Sequence, residues 1–184
     1  MHQITTERLR LRPLVEDDLD AHYSTIASDP QVTWDHIVHS REQARAALRK
    51  RIRHWAEHGF GMYAVIEKAT QQLIGHGGLQ HFEQAPEVEV GYYLGQPAWG
   101  RGFATELGRA VLRYGFEQLH LPQIVAVVRP ENQASQRVLS KLGLQHVGSG
   151  HHYGFDVQYW RILSIHFRPQ NDDYHIHPAA PFST

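Results

Sequence analysis

Two strand-like runs, EVEVGYYL (87–94) and QIVAVVR (123–129), flank a single long helical stripe. In that stripe Ala104, Leu107, Val111 and Tyr114 recur at helical spacing, and Leu112 and Phe116 widen it. A strand that returns to its own sheet through a crossover helix must lie parallel to the first. The remaining strand candidates, 61–67, 72–79, 144–151 and 155–165, follow their neighbours after short links and so pair antiparallel. The chain is thereby committed to a mixed α/β (α+β) architecture. Its sheet is mostly antiparallel with one parallel pair, and helices flank it.

The other elements fit around that unit. Leu9 and Leu11 alternate with arginines over 8–14, a strand with one apolar face. Leu19, Tyr23 and Ile26 have helical spacing, and Pro30 stops them. Ser40 with Gln43 forms a capping box that opens a second helix. Ala44, Leu48, Ile52 and Trp55 line its apolar face, and Gly59 closes it. A short helix over 133–142 follows Asn132. The length of 184 residues suits one domain, expected over 1–168. The remainder, PQNDDYHIHPAAPFST (169–184), is polar and proline-rich and reads as a mobile tail.

Composition removes several classes of function. Lys plus Arg is 18 against 19 for Asp plus Glu, which gives no electrostatic case for nucleic acid or an anionic membrane. The absence of cysteine excludes disulfides, thiolate metal ligands and a cysteine nucleophile. No apolar run is long enough to span a bilayer, so a soluble, cytoplasmic protein is expected. Fifteen histidines raise the question of a metal. His151-His152 and His175-x-His177 are the nearest pairs in sequence, and two ligands do not make a site. The expectation is solvated histidines and no metal.

The segment QPAWGRGFATELG (96–108) places Gly100 and Gly102 just before the long helix. A helix start presents free N–H groups and a partial positive charge, and glycine lets an anion approach the backbone. Together these make a phosphate cradle, to which Arg101 adds a cation. The ligand is therefore expected to carry phosphate. No G-x-x-x-x-G-K-[ST] run exists, which excludes a P-loop. Thr105 stands where a dinucleotide fingerprint needs a small residue, and no acidic residue follows at the required distance.

Taken together, TTERLRLRPL, EVGYYLGQPAWGRGFATE and RPENQASQRVLSKLGL resemble the GNAT superfamily of acetyl-CoA-dependent N-acetyltransferases, in particular its RimJ/RimL-type branch. The resemblance runs from about residue 4 to 167. It implies a sheet splayed between its fourth and fifth strands, here 87–94 and 123–128. It implies that the pantetheine arm lies in that gap against the backbone of Tyr92, Tyr93 and Leu94. The pyrophosphate would rest on Arg101, Gly102, Phe103, Ala104 and Thr105. The family pattern [RQ]-x-x-G-x-[GA] is met at Gly102 and Ala104, while Trp99 replaces the first residue. Asn132 reads as an N-cap; by resemblance Asn132 and Ser135 also face the pantetheine and thioester.

Amine acetylation needs a neutral amine, a stabilised oxyanion and a leaving thiolate. Glu89 is the candidate base and Ser135 the candidate donor to the leaving sulfur; the opposing reading of Glu87 and Glu89 is the wet face of an antiparallel strand. Some relatives use a tyrosine acid where Leu139 stands here, and a glutamate where Val127 stands. Trp34, Trp55 and Tyr63 are candidates for the acceptor pocket or for the core. With no cysteine to carry an acyl-enzyme, direct transfer in a ternary complex is expected, and the resemblance implies a protein or peptide N-terminus as the acceptor. Two alternatives stand beside it. One is a small-molecule acceptor (amino acid, polyamine or aminoglycoside), for which Asp17, Asp18, Asp20, Asp29 and Asp35 would supply acidity. The other is a non-catalytic acyl-CoA-binding module. Association into homodimers stays open.

Overall fold

The computed structural model describes residues 2–83, 85–170 and 173–178. The strands are β1 (His2–Thr6), β2 (Leu9–Pro13), β3 (Met62–Glu67), β4 (Leu73–His81), β5 (Val88–Leu94), β6 (Gln123–Val128), β7 (Gln145–His152), β8 (Phe155–Leu163) and β9 (Tyr174–Pro178). The helices are α1 (Leu19–His22), α2 (Arg41–His58), α3 (Phe103–Glu117) and α4 (Gln133–Lys141). All the strands lie in one sheet, ordered β7-β8-β6-β5-β4-β3-β2-β1-β9. Neighbours are antiparallel except β5 and β6, the pair joined by α3. The crossover thus dictates the one parallel pairing, as its sequence requires.

Helix α3 buries Leu107, Val111, Leu112 and Tyr114 against β4, β5 and β6. Each fully buried aliphatic side chain contributes about 1.5–3 kcal/mol, so this stripe alone anchors the helix. On the opposite face, Ala44 and Leu48 of α2 pack with Met62, Ala64 and Ile66 of β3. The capping box forms: Ser40 Oγ accepts from the Gln43 amide at 3.1 Å, and Gln43 Oε1 accepts from the Ser40 amide at 2.7 Å. Gly59 ends the helix in the left-handed conformation, with φ 76°.

Three expectations are corrected. The helix expected around residues 19–26 is broken into a 3-10 turn (Glu16–Asp18), the single turn of α1 and a π turn (Tyr23–Ala27). Strand β1 was not expected, because HQITT lacks a long apolar alternation. The tail expected to be mobile from 169 contributes β9, which pairs residue for residue with β1. Tyr174 and Ile176, two residues apart, turn the same way and pack on the core, and this short alternation is hidden in polar composition. Residues 171–172 and 179–184 of that tail lie outside the described residues.

Candidate active site

Beyond β5 the chain makes a 3-10 turn (Gln96–Ala98) and enters α3 at Gly102. Gly102 adopts φ 82°, a conformation that costs other residues about 1–2 kcal/mol. Its carbonyl accepts from the amides of Thr105 and Glu106, both at 3.1 Å. The amides ahead of them are the orphan donors of a helix start. Arg101, Gly102, Phe103, Ala104 and Thr105 therefore do meet at one helix N-terminus.

The side chains of this loop are spent on fixing it. Arg101 pairs with the buried Glu67, which this holds below the usual carboxylate range. Phe103 is core, with the guanidinium groups of Arg8 and Arg101 at 4.6 and 4.5 Å from its ring centre. Arg8 donates to Glu106 at 2.7 Å and to the Arg101 carbonyl at 2.9 Å. What the loop offers an anion is thus its backbone, and the charge expected from Arg101 is already partnered. A groove of about 840 Å³ runs beside it, past Gly102, Thr105, Arg109 and Lys141.

Strands β5 and β6 meet at a single register pair, Glu89 with Val125, and part on either side of it. Tyr92, on the α3 and α4 face of β5, sends its hydroxyl to within 2.7 Å of Ser135 Oγ. Burial pushes the Tyr92 phenol up to about 12. Asn132 Oδ1 accepts from the Ser135 amide at 3.0 Å, so the N-cap reading of Asn132 holds. At the end of β5, the Trp99 indole donates to the Leu94 carbonyl at 2.6 Å, which occupies one of its two acceptor positions.

The opposite face of β5 carries Glu89 and Tyr93. Glu89 is buried, so the wet-face reading fails for it. Its Oε1 accepts from Gln80, the residue facing it on β4, at 2.5 Å. Its Oε2 has no hydrogen-bond partner. Burial pushes the Glu89 carboxyl up to about 7; Gln80 and the nearby Tyr153 phenol oppose that rise, and Glu83 adds to it. Two turns fold together over this carboxyl. Glu83, from the β4–β5 turn, accepts the Tyr153 amide at 2.7 Å, and its own amide donates to the Tyr153 hydroxyl at 3.2 Å. Tyr153 and Gly154 both have positive φ, as a two-residue hairpin turn requires.

Beside Glu89, the Tyr93 ring stacks on His76 at 5.0 Å, and His76 Nδ1 lies 3.1 Å from His22 Nε2. Burial and the nearby Arg51 guanidinium lower both histidines, His22 to about 4, so the two imidazoles are neutral and Arg51 is the cation beside them. Trp34 packs edge-on against Tyr153 and Phe155. Trp55 and Tyr63 belong to the core instead. Four of the five aspartates are already partnered: Asp18 with Arg12, Asp20 with Arg41, Asp29 with Gln96 and Asp35 with His39. Gln80, Glu83, Tyr153, His22 and His76 were not identified from sequence. No spacing links them to Glu89, and only the β4–β5 register places Gln80 opposite it.

A mixed sheet whose one parallel pair is joined through a glycine-led helix start, with a buried carboxyl on the strand before it, is an arrangement suited to an acyl-group transferase. Comparison with known proteins agrees. Residues 8–145 match the family model described as "Acetyltransferase (GNAT) domain". The uncharacterized N-acetyltransferase p20 of Bacillus licheniformis is 35% identical over 152 residues, 80% of this chain and 85% of that protein. A GNAT-family acetyltransferase structure from Bacillus anthracis is 27% identical with a TM-score of 0.76, covering 89% of this chain and 99% of that one. A solved RimL, a ribosomal L7/L12 alpha-N-protein acetyltransferase in complex with coenzyme A, shares the fold at 20% identity and a TM-score of 0.70, over 86% and 95% of the two chains. The chain belongs to the GNAT acetyltransferase family. It is an N-acetyltransferase, and its fold implies acetyl-CoA as co-substrate. No helix among the described residues is long and apolar enough to cross a membrane.

Proposed function

We propose that the protein transfers acetyl from acetyl-CoA directly to the α-amino group of a protein or peptide N-terminus, as a member of the RimJ/RimL-type branch. The observation that carries this reading is Glu89, buried without a counter-cation and lifted to about 7. A base acts best when its pKa lies near the working pH. An α-amino group has a reference pKa of about 7.7–8.0, against about 10.4 for lysine, so Glu89 suits the former. Glu89 takes the amine proton, directly or through one water. A β5 amide near Tyr93 or Leu94 donates to the oxyanion. Ser135, backed by the Tyr92 hydroxyl, donates to the departing sulfur. The backbone from Arg101 to Thr105 holds the pyrophosphate, and the neighbouring groove takes the nucleotide end.

The acceptor is tested with short peptides bearing a free N-terminus, the same peptides blocked at the N-terminus but carrying lysine, and polyamine and aminoglycoside panels. Mass spectrometry should find acetyl on free N-termini alone. Higher kcat/KM on lysine, polyamine or aminoglycoside would overturn the acceptor assignment. The cradle is tested separately with Gly102→Val, whose branched side chain opposes the positive φ and blocks the approach to the backbone. Calorimetry should show strong loss of coenzyme A affinity; a folded variant with unchanged affinity would remove the cradle.

A further inference from the structure

The C-terminal turns of α2 place His54 and His58 four residues apart on one helix face, and His81 closes the end of β4 beside them. Their ring centres are 4.5 Å (His54 to His58), 4.6 Å (His58 to His81) and 5.6 Å (His54 to His81) apart. One ligating nitrogen from each ring lies within 4.8 Å of the other two. These three residues are separated by up to 27 positions, so sequence adjacency does not reveal them. They depart from the expectation of solvated histidines, since His54 and His81 are half-buried and only His58 is exposed.

We propose that His54, His58 and His81 bind a divalent transition metal of the Zn²⁺ class, which ties the end of α2 to the end of β4. The hydrogen bonding favours ligation. His54 Nδ1 donates to the Phe60 carbonyl at 2.9 Å, which fixes the tautomer and leaves a lone pair on Nε2. A carbonyl acceptor on the far ring nitrogen is the usual outer support of a ligating imidazole. His54 Nε2 now accepts the His81 amide at 3.2 Å. A metal would replace that long bond, and the half-buried His81 backbone would turn to water.

The distances require a small movement. Metal–nitrogen bonds of about 2.0–2.1 Å in a tetrahedron put ligand nitrogens about 3.3 Å apart. Closing the present spread of 4.8 Å to that value needs side-chain rotation, for which the exposed His58 has room. Its Nε2 has only a distant acidic neighbour, Glu57 Oε2 at 3.9 Å. Three imidazoles favour zinc, copper or nickel over magnesium or calcium. The fourth position remains for water.

The other histidine pairs differ. His151 bonds Asp156, His152 bonds Glu83, and His177 bonds Thr5. The consequence of metal binding is mechanical: His81 adjoins Gln80, which donates to Glu89. A metal would therefore brace the strand end that supports the carboxyl.

The experiment titrates the EDTA-treated full-length protein with ZnCl₂ alone, by calorimetry and by thermal unfolding. The expected result is one ion per chain and a raised Tm, with Co²⁺ giving the intense visible bands of a four-coordinate site. His58→Ala removes an exposed ligand and leaves the metal-free Tm unchanged. It should weaken Zn²⁺ binding by at least the roughly 10- to 100-fold that loss of an outer-shell partner causes. His81→Gln should do the same, while the double variant His175→Ala/His177→Ala keeps full affinity. Equal Zn²⁺ affinity in the parent, His58→Ala and His81→Gln would overturn the proposal, as would the absence of any Zn²⁺-dependent rise in Tm.

Discussion

Glu67 and Glu89 are each 6% exposed, and the two halves of the molecule treat them in opposite ways. At the entrance to α3, Glu67 meets Arg101 and is held ionised. On β5, Glu89 accepts from the Gln80 amide and lies near the Tyr153 phenol, and burial lifts it to about 7. A buried carboxylate given a cation becomes a fastener; one denied a cation becomes a titrating group at working pH. The entrance to α3 is thus built to stay one shape and one charge. The surroundings of Glu89 supply no such cation.

The strongest break of this contrast is Glu89→Gln. Losing a general base lowers kcat by roughly 10²- to 10⁴-fold, and higher pH should restore part of the rate as more amine becomes neutral. A pH–rate profile identical to the parent's would rule Glu89 out as base.

The two glutamates also make opposite demands on stability. Between pH 4.5 and about 7 the native protein keeps the Glu89 proton that the unfolded chain releases. Stability therefore falls as pH rises through that window, by roughly 3 kcal/mol. Glu89→Gln should abolish this loss, so the variant gains on the parent from pH 5 to pH 8 in urea unfolding. Glu67 acts at the other end. Its contribution is full above its ordinary pKa and is lost as pH falls through the lowered one. Glu67→Gln should accordingly flatten the acid side of the stability curve and leave the neutral side alone.

The finest adjustment is Gln80→Leu, which removes the donor to Glu89 at 2.5 Å. The Glu89 pKa should rise further, moving the acid limb of kcat/KM upward by about one pH unit, equivalent to ~1.4 kcal/mol. A limb that stays in place would show that Glu89 does not set it.

Features written in contiguous residues were legible before the fold was seen. The helix start at Gly102, the capping box at Ser40 and the stripe on α3 each depend on neighbours within a few positions, so spacing suffices. Glu89 was singled out because EVEVGYYL reads as a strand and the family resemblance implies a glutamate on it. Its surroundings were not found, because Gln80, Glu83 and Tyr153 arrive from two other turns whose meeting is decided by strand register. The broken first helix failed for a related reason. Apolar spacing gives the face that a segment buries and carries no mark of the switch to a π turn at Tyr23. Strand β9 was lost to composition, since two apolar residues among polar ones decide its fate.

The pairing of β9 with β1 has a consequence for how the molecule is made. Thr5 bonds His177 across 172 positions of chain, among the most distant partners available. Contacts of such separation carry the largest loop-closure entropy and form late. During synthesis the outer edge of β1 stays unpaired until β9 has been made. Strand β9 therefore moves the sheet's open edge from β1 to a short, histidine-bearing strand, which is a poorer template for a strand from another chain.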